Sequence, residues 1–581
     1  MSLHLTCAYA FIGYCTVESA TSCKGLQKIG ELYNSLYNEK ISLKGKGEVL
    51  MSNTIFTNGS IYTLDENSLV VEALVVRDGK IIDIGSHEDM MLQWGRPGTK
   101  IVDLQGKMVT PGLIDSHMHL SGVAFNLLDV DLVGVTSKSE MLHIIKERAR
   151  TVPEGKWVIG MGWDENLFTD GSSIPTIQEL DEAAPHCPIY LKRICHHAFL
   201  VNSKALEVCH YHPSMEVPKG GQIVLDPTSG APSGLVLESA SKLFTDHIPD
   251  KSYNELKEGL AQAMKLVVKK GLTGVHTNDP LYIGGLEQTY QLYNDALHQH
   301  NIGLRCNLLI DHVFLNDMKE RGMYTGFGNE RLRIGAIKMF ADGAFGRRTA
   351  LLSEPYEDAP GYYGEAMQDP AVLYESFKEI RTYGMPIAIH TIGDQALEQV
   401  LDTLDQLPKS KYRDRIIHVS LIREDLLERL ADPSRVADIQ PRFVVSDYPW
   451  ITSRIGGTRE KNLYAWKTLL SSGVNCAGGS DAPVEPFDPL LSLHASVTRR
   501  LPEQSRGWNE KERISMKEAV RLYTIGGAYA TNEEHVKGTL SRGKFADMTV
   551  FSQDLFTMEH PDELLATNVE MTIINGEIQE I

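Results

Sequence analysis

The stretch Val109-Thr110-Pro111-Gly112-Leu113-Ile114-Asp115-Ser116-His117-Met118-His119 decides the fold of this chain. A Pro-Gly turn opens a short apolar run, and the run ends in two histidines two residues apart. Side chains alternate faces along a β-strand, so both imidazoles point the same way. Neutral imidazole nitrogens are common ligands of zinc and related metals. The pair therefore predicts one side of a metal site, although an isolated His-x-His pair is as easily structural.

Four further largely apolar segments each carry a candidate ligand at or near the end, which extends the pattern. They are residues 334–340 with Lys338, 385–390 ending in His390, 415–419 with His418, and 474–481 ending in Asp481. Helical patterns lie between them, for example at residues 373–383 and 396–404. Strands that alternate with helices indicate parallel βα units, and the carboxyl ends of such strands meet at one mouth of a barrel. The sequence predicts an α/β chain whose central unit is a (β/α)8 TIM-type barrel with a shared site.

The pattern as a whole resembles the amidohydrolase superfamily of metal-dependent barrel hydrolases. The matching positions are His117, His119, Lys338, His390, His418 and Asp481. Local motifs resemble the type-3 branch, which includes N-substituted formamide deformylase-like proteins. These motifs are Gly162-Trp163-Asp164, His197-Ala198-Phe199-Leu200-Val201-Asn202, Lys338-Met339-Phe340-Ala341-Asp342-Gly343, His390-Thr391-Ile392-Gly393-Asp394 and Gly479-Ser480-Asp481-Ala482-Pro483-Val484. The resemblance runs from about Ser52 to the C-terminus and says little about the substrate.

The resemblance implies a hydrolase that cleaves an amide or formamide-like C–N bond, other than a peptide bond, with a metal-activated hydroxide. The six matching positions would hold one or two divalent metal ions, and these ligand types favour zinc over iron or manganese. Lys338 would act as an N-carboxylated carbamate; the alternative is a buried lysine paired with Asp342. Asp481 would hold the water and pass its proton to the leaving nitrogen; the alternative is a helix N-cap before Ala482.

Residues outside the metal shell are also candidates. The resemblance makes His197 a second catalytic residue that donates to the developing oxyanion or to substrate. Trp163, Asp164, His276 and Arg347 are expected to contact substrate, although Trp163 could equally be core and Arg347 a surface charge. Two other function classes stay open: a deaminase or esterase that uses the same site, and a non-catalytic scaffold or binding protein on the same barrel. Scaffold relatives usually lose ligands, and none is missing here.

The ends of the chain predict a second domain. Strand patterns in residues 51–112 and 536–581 are expected to form one small composite β-sandwich beside a barrel at 113–535; two unrelated hairpins are the alternative. Asn58-Gly59 and Asn575-Gly576 each predict a tight turn between strands. Residues from about 150 to 245 are too many for a barrel crossover, so they predict an inserted subdomain after barrel strand 1. An insertion there leaves from the catalytic face and can cover the site.

Composition and charge indicate which binding partners to expect and where in the cell the protein is located. The chain has 581 residues, 42% of them hydrophobic, and a net charge of −19, which argues against nucleic acid and anionic membranes as partners. Its 8 cysteines are scattered, which is typical of reduced thiols and predicts a cytoplasmic protein. We expect a small-molecule substrate, and a homodimer is compatible with the sequence. Residues 1–50 do not fit the rest: Met51 is interpreted as the native start, and a genuine helical appendage at residues 26–37 is the alternative.

Overall fold

The computed structural model describes residues 53–67, 69–195 and 197–580. The predicted extension at residues 1–50, with its alternative helix, lies outside the described residues.

The described strands form three separate sheets. In chain order they are β1 Thr54–Tyr62, β2 Val70–Arg77, β3 Lys80–Gly85, β4 Lys100–Asp103, β5 Met108–Pro111, β6 Leu113–Met118, β7 Val130–Asp131, β8 Val158–Trp163, β9 Ile189–Arg193, β10 Ala198–Val201, β11 Gln222–Leu225, β12 Pro232–Leu237, β13 Leu272–Asn278, β14 Arg305–Asp311, β15 Leu332–Phe340, β16 Ile387–Thr391, β17 Asp414–His418, β18 Arg435–Ile439, β19 Cys476–Gly478, β20 Met548–Phe551, β21 Val569–Ile574 and β22 Glu577–Ile578.

Most helices lie between successive strands of the eight-stranded parallel sheet, whereas the first one packs against β1, β2 and β3. They are α1 His87–Trp94, α2 Leu120–Leu128, α3 Lys138–Thr151, α4 Ile177–Ala183, α5 Ser203–Val208, α6 Lys242–Thr245, α7 Tyr253–Lys269, α8 Gly285–Gln299, α9 Leu315–Arg321, α10 Pro370–Thr382, α11 Asp394–Asp405, α12 Leu427–Leu430, α13 Phe443–Ile455, α14 Trp466–Ser471, α15 Pro489–Thr498, α16 Met516–Arg521 and α17 Gly527–Ala530. Within the described ranges, each helix is too short or too polar to cross a lipid bilayer.

Eight parallel strands form the barrel, in the order β6-β13-β14-β15-β16-β17-β18-β19. Every neighbouring pair is parallel. In such a barrel helices cover the outside and side chains fill the inside; here Leu309, Ala336, Ala388 and Ile417 pack together. This confirms the predicted (β/α)8 TIM-type barrel.

A buried carboxylate joins the first and last barrel strands, which share no strand ladder. Both oxygens of Asp115 accept from the backbone N–H of Ser480 at 3.1 Å, and one of them also accepts from the N–H of His117 at 3.1 Å. The N–H of Asp481 donates to the carbonyl of His117 at 2.7 Å. These bonds seat the end of strand 8 directly against the histidine pair of strand 1.

Strands from both chain ends form one sheet, in the order β22-β21-β20-β5-β1-β2-β3, with β4 beside β1. This confirms the composite β domain. Asn575 and Gly576 form the predicted turn between β21 and β22, both with positive φ (54° and 73°). The turn predicted at Asn58-Gly59 is wrong. Strand β1 runs through this pair with a shift in register between Thr57 and Ile61, because Asn58 (φ 56°) forms a bulge instead of a reversal.

An extra sheet follows barrel strand 1, which confirms the predicted insertion. Its order is β11-β12-β10-β9-β8-β7, and it has its own apolar core around Trp163, Leu180 and Leu191. The sheet is parallel on the side of β7, β8 and β9 and antiparallel beyond β9. Its first strand starts at Val130, directly after the helix that follows the histidine pair. The chain returns to the barrel through α7.

Candidate metal centre

Strands 1 and 8 of the barrel bring two imidazoles and a carboxylate together. The Nε2 atoms of His117 and His119 lie 3.4 and 3.3 Å from Oδ1 of Asp481. In the described part of the chain these three residues form a cluster whose potential ligand atoms all lie within 4.8 Å of one another. Oδ1 of Asp481 is buried and accepts no hydrogen bond of good geometry. Two imidazole nitrogens and a carboxylate oxygen that face each other at this distance fit a cation.

Strands 5 and 6 place two more imidazoles beside this cluster. The rings of His390 and His418 lie 4.5 Å apart between centroids, and His418 lies 5.8 Å from the ring of His117. His418 has φ of 78°, so the strand leaves extended geometry at this residue. The ring of Phe443 stacks on the outer side of His418 at 5.7 Å. All four predicted histidines therefore lie close together at the same end of the barrel.

Hydrogen bonds fix the orientation of three of these imidazoles. Nδ1 of His119 bonds the carbonyl of Asn278 at 2.8 Å, and Nδ1 of His418 bonds Oε1 of Gln440 at 2.6 Å. His390 uses the other nitrogen, Nε2, which bonds the carbonyl of Gly343 at 3.0 Å. Because these acceptors need an N–H, the opposite nitrogen of each ring carries a lone pair when the ring is neutral. Metal-binding histidines are usually held in this way.

Burial keeps most of the imidazoles neutral. It lowers the pKa of His117 and His390 well below the ordinary value and that of His418 to about 4. His119 differs: burial again opposes its charged form, but the contact with Asp481 outweighs burial and raises the pKa. A metal ion needs unprotonated imidazole nitrogens, so the low pKa values suit ligands.

Lys338 lies inside the barrel at the same level, with 2% of its surface exposed. Its Nζ is 3.4 Å from Nε2 of His117 and 4.8 Å from the centre of the Phe340 ring. Burial lowers the pKa of its amine to about 8. Asp342 is not its partner: that carboxylate accepts the N–H groups of Leu351, Ile392 and Gly393 at 2.9, 3.0 and 2.7 Å. The alternative of a Lys338–Asp342 pair is therefore wrong.

Comparison with known proteins identifies this architecture. Residues 100–579 match the model of the Amidohydrolase family, Amidohydro_3. The chain belongs to the amidohydrolase family. It is 40% identical over 527 residues to the amidohydrolase-like protein YtcJ of Bacillus subtilis (strain 168), a match that covers 90% of this chain and 98% of YtcJ. It is also 25% identical over 523 residues to N-substituted formamide deformylase of Arthrobacter pascens, covering 87% of this chain and 94% of that enzyme.

Solved structures agree with the assignment. A metal-dependent hydrolase of Pyrococcus horikoshii OT3, itself uncharacterized, superposes with a TM-score of 0.71 and 28% identity, covering 87% of this chain and 99% of that one. The predicted resemblance to the superfamily and to its type-3 branch is confirmed. This amidohydrolase is therefore a metal-dependent enzyme, and its donor set of imidazoles and a carboxylate fits a divalent ion.

The candidates in the insertion lie apart from the metal centre in the described contacts. His197 has 68% of its side chain exposed, and its Nδ1 lies 3.0 Å from the carboxylate of Glu238. Trp163 is buried in the core of the insertion, where its Nε1 donates to the carbonyl of Leu191 at 3.1 Å. Asp164 accepts from Arg193 at 2.7 Å. Trp163 thus has the surroundings of a core residue.

The two remaining candidates also lie outside the ligand cluster. His276 is on β13, fully buried in the barrel interior, and neither ring nitrogen has a hydrogen bond of good geometry. Burial, followed by the charges of Arg415 and Lys537, lowers its pKa well below the ordinary value. Arg347 is exposed in the loop after barrel strand 4. Contact of either residue with substrate stays a prediction.

Sequence reasoning missed several residues that shape the site. Gln440 and Asn278 orient two of the candidate ligand histidines, and Asp311 ends barrel strand 3 beside Lys338. All three stand at the carboxyl end of an apolar strand, so the rule that found His390 could have found them. The carbonyl of Gly343 had no such signal, because any residue provides a carbonyl.

Proposed function

We propose that this amidohydrolase cleaves an amide or formamide-like C–N bond, other than a peptide bond, in a small molecule. One or two divalent ions, with zinc favoured, would be held by His117, His119, His390, His418, Asp481 and carboxylated Lys338. One observation is the main support for this proposal. The Nε2 atoms of His117 and His119 lie 3.3–3.4 Å from Oδ1 of Asp481, which accepts no hydrogen bond of good geometry. The similarity to N-substituted formamide deformylase supports the choice of bond.

A divalent ion in this site would lower the pKa of a water molecule and polarise the substrate carbonyl. The protein residues supply the proton transfer. Burial opposes the charge of Asp481, but hydrogen bonding to His119 and the nearby positive groups lower its pKa below the ordinary value. Asp481 is thus a carboxylate near neutral pH. It accepts a proton from the attacking water and delivers it to the leaving nitrogen, which departs as an amine.

Lys338 supplies the missing negative charge in this proposal. Because burial lowers the pKa of its amine to about 8, an appreciable fraction is neutral at physiological pH. A neutral amine attacks carbon dioxide and loses a proton, which leaves an anionic carbamate with two oxygen donors. The carbamate suits a position among neutral histidines better than an ammonium, which would repel a metal ion.

Several expectations from the sequence stay predictions beside this proposal. They are His197 as a second catalytic residue, the substrate contacts of Trp163, Asp164, His276 and Arg347, a homodimer, a cytoplasmic location and the lack of nucleic-acid partners. A scaffold function is not favoured, because all six expected positions carry ligand-type residues. No feature of the described site favours a deaminase or an esterase over an amide hydrolase.

Metal analysis and a substrate panel test the function together. Enzyme purified without chelator should carry one to two equivalents of zinc-like metal and should hydrolyse at least one class among N-formyl amines, N-acyl amines and cyclic amides. His418→Ala should lose metal and activity. His143→Ala, on an exposed face of α3, is the control and should lose neither. A folded wild-type protein that neither contains nor takes up metal would contradict the proposal, as would turnover of esters alone.

A further inference from the structure

Strands 2 and 3 of the barrel end in a group of buried oxygen atoms without hydrogen-bond donors. Asp311, the last residue of β14, is 4% exposed, and neither of its carboxylate oxygens has a hydrogen bond of good geometry among the described residues. Asn278, the last residue of β13, is 1% exposed, and its Oδ1 also lacks a donor. The amide of Asn278 donates instead to the carbonyl of Leu309 at 3.2 Å.

Strand geometry directs Asp311 toward the metal centre. Leu309 packs inside the barrel with Ala336 and Ala388. Residues two apart on a strand share a face, so Asp311 lies on the interior face above Leu309, as Lys338 lies above Ala336. Asp311 and Lys338 are paired across strands 3 and 4. The unpaired carboxylate therefore stands on the rim of the same mouth.

Asp311 has no hydrogen bond of good geometry in the described structure; burial raises its pKa, and the Asn278 side chain and the charge of Lys338 only partly oppose this effect. Lys338 forms no ion pair with it within the described structure. Tyr282 lies beside the metal site, with its ring 6.0 Å from that of His119. Burial, followed by the charges of Asp311, Asp279 and Asp481, raises the pKa of its phenol. Asp279 shows the contrast, because Ser121, Thr277 and Tyr293 all donate to it. The fold satisfies a buried carboxylate where the role is structural.

An unpaired buried carboxylate is costly, and the cost is offset when a ligand supplies a positive charge with N–H donors. The two carboxylate oxygens of Asp311 and Oδ1 of Asn278 are three acceptors without a donor, so they favour binding of a positively charged group with N–H donors. We propose that Asp311, with Oδ1 of Asn278, binds a protonated amine of the substrate, so that the natural substrates are amides or formamides that carry a second, basic nitrogen. This rests on the proposed hydrolase function.

The rim beside Asp311 indicates what carries the amine. Leu281 and Tyr282 follow strand 2, Val313 follows strand 3, and all three side chains are exposed at this side of the mouth. Exposed apolar side chains around a site favour an apolar partner. An aromatic ring also attracts a cation that lies over its face. The substrate class is thus an N-acylated or N-formylated diamine on an apolar or aromatic frame.

Two matched probes test this in the zinc-loaded full-length enzyme. N-[4-(aminomethyl)benzyl]formamide carries an ammonium group, and N-[4-(hydroxymethyl)benzyl]formamide is its neutral counterpart. Wild type should prefer the ammonium probe in kcat/KM, and Asp311→Asn should reduce this preference about 10- to 100-fold, the size expected for a hydrogen bond to a charged group. Glu320→Gln removes the same charge from an exposed position on α9 and should keep the wild-type preference.

Thermal unfolding supplies a readout that does not need turnover. The product-like 4-(hydroxymethyl)benzylammonium should raise the Tm of the zinc-loaded wild type, and 1,4-benzenedimethanol should not; Asp311→Asn should abolish the difference. The variant itself should unfold at a higher Tm than wild type, because it removes an unpaired buried charge. A lower Tm, or loss of one metal equivalent, would overturn the proposal by showing a structural or metal-binding role.

The outcomes separate this inference from the hydrolase proposal. If both probes are hydrolysed without preference, or if Asp311→Asn keeps the preference, the amine site is refuted while the hydrolase stands. If neither probe is hydrolysed but the ammonium compound stabilises only proteins with Asp311, the amine site stands without the proposed reaction. If the ammonium compound gives no such stabilisation and no preference exists, the inference is wrong.

Discussion

In the proposed mechanism the carboxylate of Asp481 has two tasks, metal ligand and proton acceptor. Both imidazoles of strand 1 approach its Oδ1, and the N–H of Asp481 is held by the carbonyl of His117. No described helix starts at this residue, so the alternative of an N-cap is not seen; the next helix is capped by Asp488. The side chain is therefore free to act at the mouth, and backbone contacts fix its position.

Asp481→Asn separates the two tasks. The amide keeps the size and one oxygen ligand, but it cannot accept the proton as a carboxylate does. We expect kcat to fall by roughly 10²–10⁴, the usual contribution of a positioned acid–base group, with metal retained by the four histidines. Steady-state kinetics with metal analysis of the same sample measures this. Turnover near that of wild type with metal in place would show that another group moves the proton.

Lys338→Ala tests the carbamate. The variant loses the only proposed bridging donor, so metal content and activity should fall together. Acetate or propionate should restore part of both, because a small carboxylate fits the space left by the side chain. Metal analysis with and without added acid gives the answer. Full metal content and activity in the unsupplemented variant would exclude any role of Lys338 in the centre.

Candidate site residues could be predicted from the sequence where only a few types of side chain can perform the chemistry. The strand-end histidines, Lys338 and Asp481 stand out because such residues rarely end apolar runs without a reason. Asp311 was not found, although it also ends an apolar strand, because no matching family motif pointed to it. The surroundings of His197 and Trp163 depend on how the insertion folds, and no local pattern encodes that arrangement.

At the scale of elements, backbone contact between two loops positions His390. Asp342, after strand 4, accepts the N–H groups of Ile392 and Gly393 after strand 5 and of Leu351 in the loop between the two strands. A Cβ at Gly393 would lie 1.9 Å from the carbonyl oxygen of Leu351. Only glycine permits this approach, so the motif His390-Thr391-Ile392-Gly393-Asp394 has a steric reason.

Gly393→Ala should therefore destabilise the fold and disturb the centre. The added methyl pushes the loops apart, and overpacking of this kind costs about 1–3 kcal/mol. His390 lies three residues away, so metal affinity should also fall. Gly457→Ala is the control, because a Cβ there meets nothing within 4 Å. Unfolding in urea and competitive metal titration measure both effects. Equal stability and metal affinity of the two variants would refute the steric argument.

The two Asn-Gly pairs show why elements are harder to predict than residue chemistry. Asn575-Gly576 reverses the chain, whereas Asn58-Gly59 forms a bulge inside β1. Both asparagines adopt positive φ, as the local sequence predicts. The outcome differs because β1 continues between β2 on one side and β4 and β5 on the other. These neighbouring strands are present only in the folded sheet. The Asn-Gly sequence therefore predicts the positive φ of the asparagine, but it does not predict whether the chain reverses there.

At the scale of the whole molecule, a buried ion pair fastens the composite β domain to the barrel. Arg305, at the start of β14, donates to both oxygens of Asp547 at 2.6 and 3.0 Å, and its guanidinium lies 3.9 Å from the centre of the Phe545 ring. It also donates to Asn575 at 2.6 Å. The order of strands could be predicted from the sequence, but this contact could not, because its partners lie 242 residues apart.

This geometry predicts that the β domain and the barrel unfold together. Asp547→Ala should lower the free energy of unfolding by about 3–5 kcal/mol, because it leaves the Arg305 guanidinium buried and unpaired. Asp317→Ala, which removes an exposed partner of Arg321 at the same 2.6 Å distance, should cost no more than about 1 kcal/mol.

The double variant Arg305→Met/Asp547→Ala should recover part of the loss, because it no longer buries an unpaired cation. Urea unfolding followed by fluorescence and by circular dichroism gives the required free energies, and a double-mutant cycle gives the coupling. Additive single effects, or a β domain that unfolds in a separate transition in the wild type, would show that the ion pair does not join the two domains.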